Sequence, residues 1–499
     1  MTVLDNASKH LEALPQAGHL IGDKFTGQGS GEIFEHVNPS TGVVQATFEM
    51  AGKSDVDDAV TAAQAAFPTW RRVDANARRR MLLRVAELFA DNAAELGAVA
   101  TLENGVPAVW TPTLAAALPA DYFQYYAGWV DKNNGEVASV YPGNQLNYSI
   151  PEPYGVIGIL IPWNGPLTSI SMKVAPALAA GNCVVIKPPE LAPFSSIKFG
   201  EICLEAGIPA GVVNVVTGGP ETGEAIVRHP GVNKISFTGS GATAVKIMTA
   251  AATGLKPTVM ELGGKSPSIV FADADIDHAS LLSAQLAMTT LSGQACVVPT
   301  RLIVEDAIYD EMVDRVSAIS SSFKVGDPFE PDTLLGPIIS SNSCSRIQGV
   351  IDTAIENESG RLVTGGKKLD GDLSGGYFIE PTVFADVENK SSLAQNEIFG
   401  PVLSVMRASG EEEAIRLAND TSYGLGGYVF TRDLNRAHRV AGAINAGSIG
   451  VNGFPLVPPN AVFGGKKGSG FGREGGRAGL EEFVSTKNVY VELEHPSFG

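Results

Sequence analysis

Residues 234–266, KISFTGSGATAVKIMTAAATGLKPTVMELGGKS, decide the fold. Residues 234–237 have strand character, Gly239 and Gly241 interrupt them, a helical stretch follows, and 258–262 turn apolar again. Strand, tight turn, helix, strand is a βαβ unit, because two parallel strands need a crossover long enough to return to the same edge. The rhythm extends upstream, with strands expected at 156–161, 183–186 and 212–216. A helix over 195–206 is expected to start on a Ser195 cap and stop at Gly207, with Pro209 beyond. Five strands separated by helices predict a parallel sheet.

Downstream of Ser266 the alternation resumes, with strands expected at 301–304, 402–406, 428–431 and 448–451, so a second α/β domain follows the first. Two early helices read as covering elements. One is capped by Ser54 with Asp57 three residues on, and the other opens after Asp74 with Leu82, Val85 and Phe89 on one face. Residues 136–141 with 145–150 read as a hairpin, and Val489, Val491 and Leu493 alternate as in a final strand. Exposed strands of this kind pair between subunits, which predicts a homodimer or homotetramer.

Composition excludes other classes. With 499 residues the chain is long enough for several domains, each with its own core. Lys and Arg number 36 against 54 Asp and Glu, and the resulting net charge of -18 repels a phosphate backbone, so nucleic acid is not an expected partner. The apolar stretches 154–162 and 174–186 are too short and too broken to span a membrane, and 1–22 lacks the apolar run of a secretory signal. A cytoplasmic protein is expected. Cys183, Cys203, Cys296 and Cys344 form no CxxC pair and have no His at ligand spacing, so neither disulfides nor a metal site is expected.

Several motifs carry chemistry. Gly239, Gly241 and Ala244 satisfy the loose dinucleotide pattern GxGxxG/A after a strand, although the ribose-binding acid roughly 20 residues later is not evident. Gly264, Lys265 and Ser266 resemble the end of a phosphate-binding loop, but Val259 stands where its first Gly belongs, which excludes that motif. The glycine-rich stretch 464–476 has no strand before it and reads as a surface loop. Cys296, Glu261 and Asn164 stand out: a thiol after Gly293, Gln294 and Ala295, an acid at a strand end, and an amide after Ile161, Pro162 and Trp163. Alone, each has a plainer reading as a buried thiol, a loop carboxylate or a capped turn.

Together they resemble the aldehyde dehydrogenases. Residues 161–164 (IPWN), 187–190 (KPPE), 237–240 (FTGS), 261–267 (ELGGKSP), 293–296 (GQAC) and 397–401 (EIFGP) are similar to that family's motifs in order and spacing, from about residue 20 to 490. Departures are Ala244, where the family often has Gly, Leu291, where it usually has Asn, and Thr289 and Thr290 in place of aromatics. The resemblance implies an aldehyde-dehydrogenase-like α/β fold of two parallel-sheet domains with a small β oligomerisation flap. Residues 1–130 and 154–264 would bind NAD, 265–465 would carry the nucleophile, and 131–153 with 477–495 would form the flap.

It also implies roles. Cys296 would be the nucleophile, Glu261 the general base and Asn164 an oxyanion donor, with Lys173 as a further catalytic residue. Ile161, Pro162, Trp163, Lys187, Glu190, Gly219, Phe237, Thr238, Gly239, Ser240, Leu262, Gly263, Glu397 and Phe399 would contact the cofactor. Glu190, bonded to ribose hydroxyls, would repel a 2′-phosphate and favour NAD over NADP. An aldehyde must become tetrahedral before it can lose hydride, which is why a thiol acts first, through a thiohemiacetal and then a thioester. Small residues at Gly165, Thr168, Ser169, Thr290, Ala295 and Val297 predict a roomy tunnel for a bulky, largely apolar aldehyde, aromatic or branched, unless 454–459 refill it. Alternatives are a CoA-acylating enzyme, against which Glu261 argues, a thiol hydrolase, which leaves the cofactor motifs unexplained, and a non-catalytic binding protein, which intact Cys296, Glu261 and Asn164 oppose.

Overall fold

In the computed structural model, residues 3–138, 145–454 and 457–492 are described. Strand Val156–Leu160 is buried at all five positions, the pattern of a central parallel strand covered on both faces. It lies between Lys234–Thr238 and Cys183–Lys187, and Thr258–Glu261 and Val213–Val216 extend the parallel run on either side. Antiparallel strands complete eight: Gly470–Phe471 beside Thr258–Glu261, and His19–Ile21 then Lys24–Thr26 beyond Val213–Val216. Chain order reverses between Val156–Leu160 and Lys234–Thr238, so a crevice opens at the carboxyl ends of those two strands.

A seven-stranded sheet follows, in the order Arg361–Thr364, Thr382–Ala385, Val402–Ala408, Arg301–Glu305, Pro267–Val270, Gly426–Phe430 and Ser448–Val451, parallel except at its first pair. Apolar clusters cover both of its faces. Strand Thr258–Glu261 closes one sheet and Pro267–Val270 opens inside the other, so residues 262–266 join the two at their carboxyl and amino ends respectively. Strand Val484–Glu492 pairs with Gln145–Pro153, which pairs with Val137–Ala138, in a separate antiparallel sheet. The expected hairpin is met where Val137–Ala138 faces 147–148, while 139–144 and Leu493 lie outside the described residues.

Three expectations are corrected. Helix Lys53–Trp70 starts one residue before Ser54, and Asp55, not Asp57, accepts the Gly52 N–H at 2.8 Å. Helix Phe194–Glu205 has no serine cap. The Ser195 hydroxyl donates to the buried Glu103 carboxylate, which also accepts the Phe194 and Ser195 N–H groups and so caps the helix from outside its own sequence. Residues 464–476 are not a surface loop: Gly470–Phe471 pairs with 260–261, and Ser469 is fully buried with its hydroxyl donating to the Gly263 carbonyl at 2.6 Å. A Cβ at Gly470 would lie 1.9 Å from the Met260 carbonyl oxygen, so close packing demands glycines here and erases any β-branched signature. Strands Pro267–Val270 and Thr382–Ala385, both fully buried, went unread because four-residue apolar runs give no periodicity.

The Asp74 cap is observed, its carboxylate accepting the Asn76 and Ala77 N–H groups, with Leu82, Val85 and Phe89 fully buried. All four cysteines are free thiols. Among the described residues, no helix is long and apolar enough to cross a membrane.

Candidate active site

Cys296 leaves a short 3-10 turn in which Leu291 and Ser292 hold left-handed backbone at φ 51° and 56°. Gly293 continues at φ +73°, and a Cβ there would lie 2.4 Å from the Gly400 backbone, so only glycine passes. Gln294 locks the turn. Its amide donates to the Leu291 and Pro337 carbonyls at 3.2 and 3.1 Å, and its Oε1 accepts the Ile339 N–H at 3.0 Å. The Gln294 carbonyl accepts the Asn164 Nδ2–H at 2.8 Å, which brings the amide beside the thiol segment and leaves the other Nδ2–H available to an oxygen on the thiol side. A Cβ at Gly264 would lie 2.5 Å from the Cys296 carbonyl oxygen, so the linker between the sheets packs directly on the thiol residue.

Glu261 ends its strand with its backbone in register with Thr238 and Gly470. Its side chain is buried, and neither carboxylate oxygen has a hydrogen-bond partner among the described residues. A buried orphan carboxylate is costly. Burial first, then the charge of Glu474, push this carboxyl well above its ordinary range, against the pull of Lys173 and Arg473. Gly464 passes so close that a Cβ would lie 2.8 Å from Glu261 Oε1. Lys173, fully buried, pairs with Glu474 and reaches Ser236 Oγ at 3.3 Å, so it stands behind Glu261 rather than at the thiol. Burial, Glu397 and Glu261 push the Cys296 thiol up to about 12.

Glu397 accepts the Gly264 N–H at 2.9 Å, and a Cβ at Gly263 would fall 2.2 Å from its Oε2. Phe399, at φ 57°, sets its ring edge-on to Trp163 with centroids 5.4 Å apart. The linker that packs on the thiol residue thus also meets Glu397.

A larger cavity of about 650 Å³ lies on the sheet between helices Pro220–Arg228 and Gly241–Ala252. Ile161, Lys187, Glu190, Gly219 and Phe237 line it, with Val227 and Ile247 as apolar walls. An ammonium, a carboxylate and two apolar faces at the carboxyl ends of parallel strands suit a nucleotide: a flat base between the walls and hydroxyls on the two polar groups. The Ser240 hydroxyl accepts the Thr243 N–H at 3.3 Å and caps helix Gly241–Ala252, while the Gly239 N–H donates to the Glu261 carbonyl at 3.1 Å. Pro162, Thr238 and Leu262 do not line that cavity. They lie at strand ends and in the segments that follow them, with the Leu262 N–H donating to the Ser469 carbonyl. Glu474 and Arg473 escaped sequence reading, because charged residues inside a glycine-rich stretch carry no pattern that separates burial from exposure.

Comparison with known proteins agrees with this geometry. The model of the aldehyde dehydrogenase family matches residues 25–489. The mitochondrial aldehyde dehydrogenase of Homo sapiens is 41% identical over 479 residues, covering 95% of this chain and 92% of its own. The betaine aldehyde dehydrogenase of Vibrio vulnificus is 39% identical over 95% of this chain and 97% of its own. Among solved structures, PnpE of Pseudomonas sp. WBC-3 superposes with a TM-score of 0.94 at 39% identity, over 97% of this chain and 100% of that one, and has also been solved with nicotinamide adenine dinucleotide. With a thiol and an amide meeting where an orphan carboxylate leads into the linker between the sheets, a nucleotide-sized cavity on one of those sheets, and similarity along nearly its whole length, the chain belongs to the aldehyde dehydrogenase family.

Proposed function

We propose that this protein oxidises an aldehyde to the carboxylic acid with NAD, through a thiohemiacetal and then a thioester on Cys296. The observation that carries this reading is the meeting of Cys296, Asn164 and Glu261 around the linker 262–266, the crossing point of both sheets. Cys296 Sγ passes its proton to water and attacks the carbonyl carbon, whose π electrons move onto the oxygen. The nascent oxyanion takes hydrogen bonds from the free Asn164 Nδ2–H and the Cys296 backbone N–H. NAD, when bound, supplies the hydride acceptor. Glu261, whose raised pKa brings it nearer neutrality, takes a proton from water as that water attacks the thioester, and Sγ leaves with release of the acid. Lys173 neutralises Glu474 behind it.

Residues 1–130 and 154–264 form the cofactor-binding part, with Lys187, Glu190, Gly219, Phe237 and Ile161 around the adenosine end. Pro162, Trp163, Thr238, Gly239, Ser240, Leu262, Gly263, Glu397 and Phe399 lead toward the nicotinamide end. Residues 265–465 present the thiol. Glu190 in the cavity wall favours NAD over NADP. Segments 131–153 and 477–495 join subunits into a dimer or tetramer, supported by exposed Val137, Leu146, Ile150 and Tyr490 on one antiparallel sheet. The substrate is a bulky, largely apolar aldehyde, aromatic or branched. Small side chains at Gly165, Thr168 and Ser169 support this, as does the Thr168 hydroxyl, which is turned to the Leu114 carbonyl at 2.8 Å. Among similar structures, AldA of P. syringae, 35% identical with a TM-score of 0.94 over 99% of this chain and 100% of that one, is an indole-3-acetaldehyde dehydrogenase.

The test is NADH formation by the purified protein across aldehydes from acetaldehyde to large aromatic ones, beside Cys296→Ala. Turnover of bulky aldehydes with a dead control is expected. Equal turnover of acetaldehyde would defeat the substrate assignment, and acyl transfer only on adding CoA would defeat the hydrolytic one.

A further inference from the structure

Helix Ala93–Asn104 ends among groups from distant segments, and its last three residues, all buried, each hold a different one. The Leu102 carbonyl accepts the Gln45 Nε2–H at 2.8 Å. The Glu103 carboxylate accepts the Phe194 and Ser195 N–H groups at 2.8 and 3.1 Å. Asn104 Nδ2–H donates to the Trp163 carbonyl at 3.2 Å, while Asn104 Oδ1 accepts the Val106 N–H at 3.1 Å. Gly105 follows in left-handed backbone at φ +75°, and a Cβ on it would lie 2.4 Å from Pro337 Cγ. A Cβ on Gly336 would lie 2.1 Å from the Gly105 carbonyl oxygen, so this helix end presses on 336–337. That segment in turn holds the thiol turn: the Gly336 N–H donates to Ser292 Oγ at 2.8 Å, and the Pro337 carbonyl accepts from the Gln294 amide. The contacts close a ring, from Asn104 to Trp163, Asn164 to Gln294, Gln294 to Pro337 and Pro337 back to Gly105.

We propose that Asn104 is a positioning residue: by holding the Trp163 carbonyl it sets the peptide that carries Asn164, and so aims the Asn164 amide at the oxygen of an aldehyde bonding to Cys296. The reading rests on the aldehyde oxidation proposed above. A peptide unit is planar, so a hydrogen bond to the Trp163 oxygen also fixes the direction of the Asn164 N–Cα bond. Asn164 is thereby held at both ends, its backbone through Asn104 and its side chain through the Gln294 carbonyl at 2.8 Å. Both restraints trace to one helix end, Asn104 for the amide and Gly105 through Pro337 for the thiol turn, so the two segments share a single reference point. A residue that only closed its own helix would need the Oδ1 end alone. The Nδ2 end of Asn104 is instead spent on a carbonyl 59 residues away, directly before the amide. This matters because an oxyanion donor acts only when aimed at the place where charge develops.

The experiment is a double-mutant cycle on kcat/KM for NAD-dependent oxidation of benzaldehyde and acetaldehyde, in the full-length parent, Asn104→Ser, Asn164→Ala and the double variant. Serine keeps an oxygen for the Val106 N–H but is one bond too short to hold the Trp163 carbonyl. Asn104→Ser is expected to lower kcat/KM at least about tenfold through misplacement of the donor. Alkylation of Cys296 by iodoacetamide, which displaces iodide and builds no oxyanion, is expected to stay within about twofold of the parent. Asn164→Ala is expected to cost about 10²- to 10³-fold. Adding Asn104→Ser to it should cost less than about a further twofold, because the two residues act as one unit, whereas a merely structural role would multiply the losses. Multiplied losses, or an Asn104→Ser variant within about twofold of the parent, would overturn the proposal. If Asn104→Ser does not fold, Asn104→Asp takes its place, with the same length and acceptor but no N–H. A parent that folds while neither variant does would place Asn104 in the fold alone and overturn the proposal too. Should the parent form no NADH from any aldehyde, the underlying reading fails instead. The cycle is then read on hydrolysis of p-nitrophenyl acetate, which needs the thiol and its oxyanion donor but no cofactor, by the same coupling criterion. A parent inert toward that ester as well would overturn both.

Discussion

The Cys296 thiol is held well above its ordinary range, and this has a measurable consequence. With the thiol pushed up to about 12, its thiolate fraction grows about tenfold per pH unit through the neutral and mildly alkaline range. Alkylation of Cys296 by iodoacetamide in the absence of cofactor is therefore expected to climb steadily from pH 7 to 9.5. A plateau near 8.5, the value of a free thiol, would show that burial and the carboxylates do not govern it. Glu261→Gln removes the proton acceptor for water but not the thiol. The expected result is a stoichiometric burst of NADH followed by steady turnover lowered by roughly 10²-fold or more. Unchanged turnover would remove Glu261 from thioester hydrolysis.

His36 offers a test of stability at the same scale. It is buried, its Nε2–H donates to the Leu191 carbonyl at 3.0 Å and its Nδ1 accepts from Gln45 at 3.1 Å, which fixes the neutral tautomer. Burial lowers its pKa to about 4 from 6.5. Between those values the unfolded chain binds a proton that the folded chain does not, so stability is full above 6.5 and lost as pH falls toward 4, by up to about 3 kcal/mol. The Tm of the parent is expected to drop relative to that of His36→Gln over this window. A constant difference would contradict the assignment.

At the scale of elements, the linker 262–266 does what neither sheet does alone. It leaves one sheet at a carboxyl end and enters the other at an amino end, so its glycines can touch groups from both. Gly263→Ala would place a methyl 2.2 Å from the Glu397 carboxylate and must displace it. A several-fold rise in the NAD dissociation constant, with little change in Tm, is expected by fluorescence titration, and unaltered affinity would separate Glu397 from the cofactor. These contacts explain what was legible. The parallel strands, the Asp74 cap and the ELGGKS stretch announced themselves locally, through apolar runs, a capping acid and glycines at a strand end. The Glu103 cap on helix Phe194–Glu205 did not, because donor and acceptor lie 91 residues apart. The strap 464–476 misled for the same reason: the glycines that read as a loop are there to let backbone pass against Thr258–Glu261.

At the scale of the whole molecule, the antiparallel sheet of Val484–Glu492, Gln145–Pro153 and Val137–Ala138 stands apart from both cores with apolar side chains exposed. Charges placed there should dissociate subunits without unfolding them. Ile150→Lys with Tyr490→Lys is expected to convert an oligomer into monomers by light scattering at an unchanged far-ultraviolet spectrum, and a monomeric parent would refute the assembly.

The sequence by itself determined the family, the βαβ order, the thiol, the amide and the acid, since each is a local pattern: periodicity of burial, a turn that only glycine can make, a reactive group at a strand end. Tertiary structure alone decided that Glu261 has no hydrogen-bond partner among the described residues and is raised above its ordinary range, that Lys173 serves Glu474, that part of a glycine-rich stretch packs against a strand, and that Tyr428 holds the residue after Cys296. Those depend on desolvation and on contacts between segments more than a hundred residues apart. No short window of sequence encodes the distance between two groups that meet only when both sheets have formed.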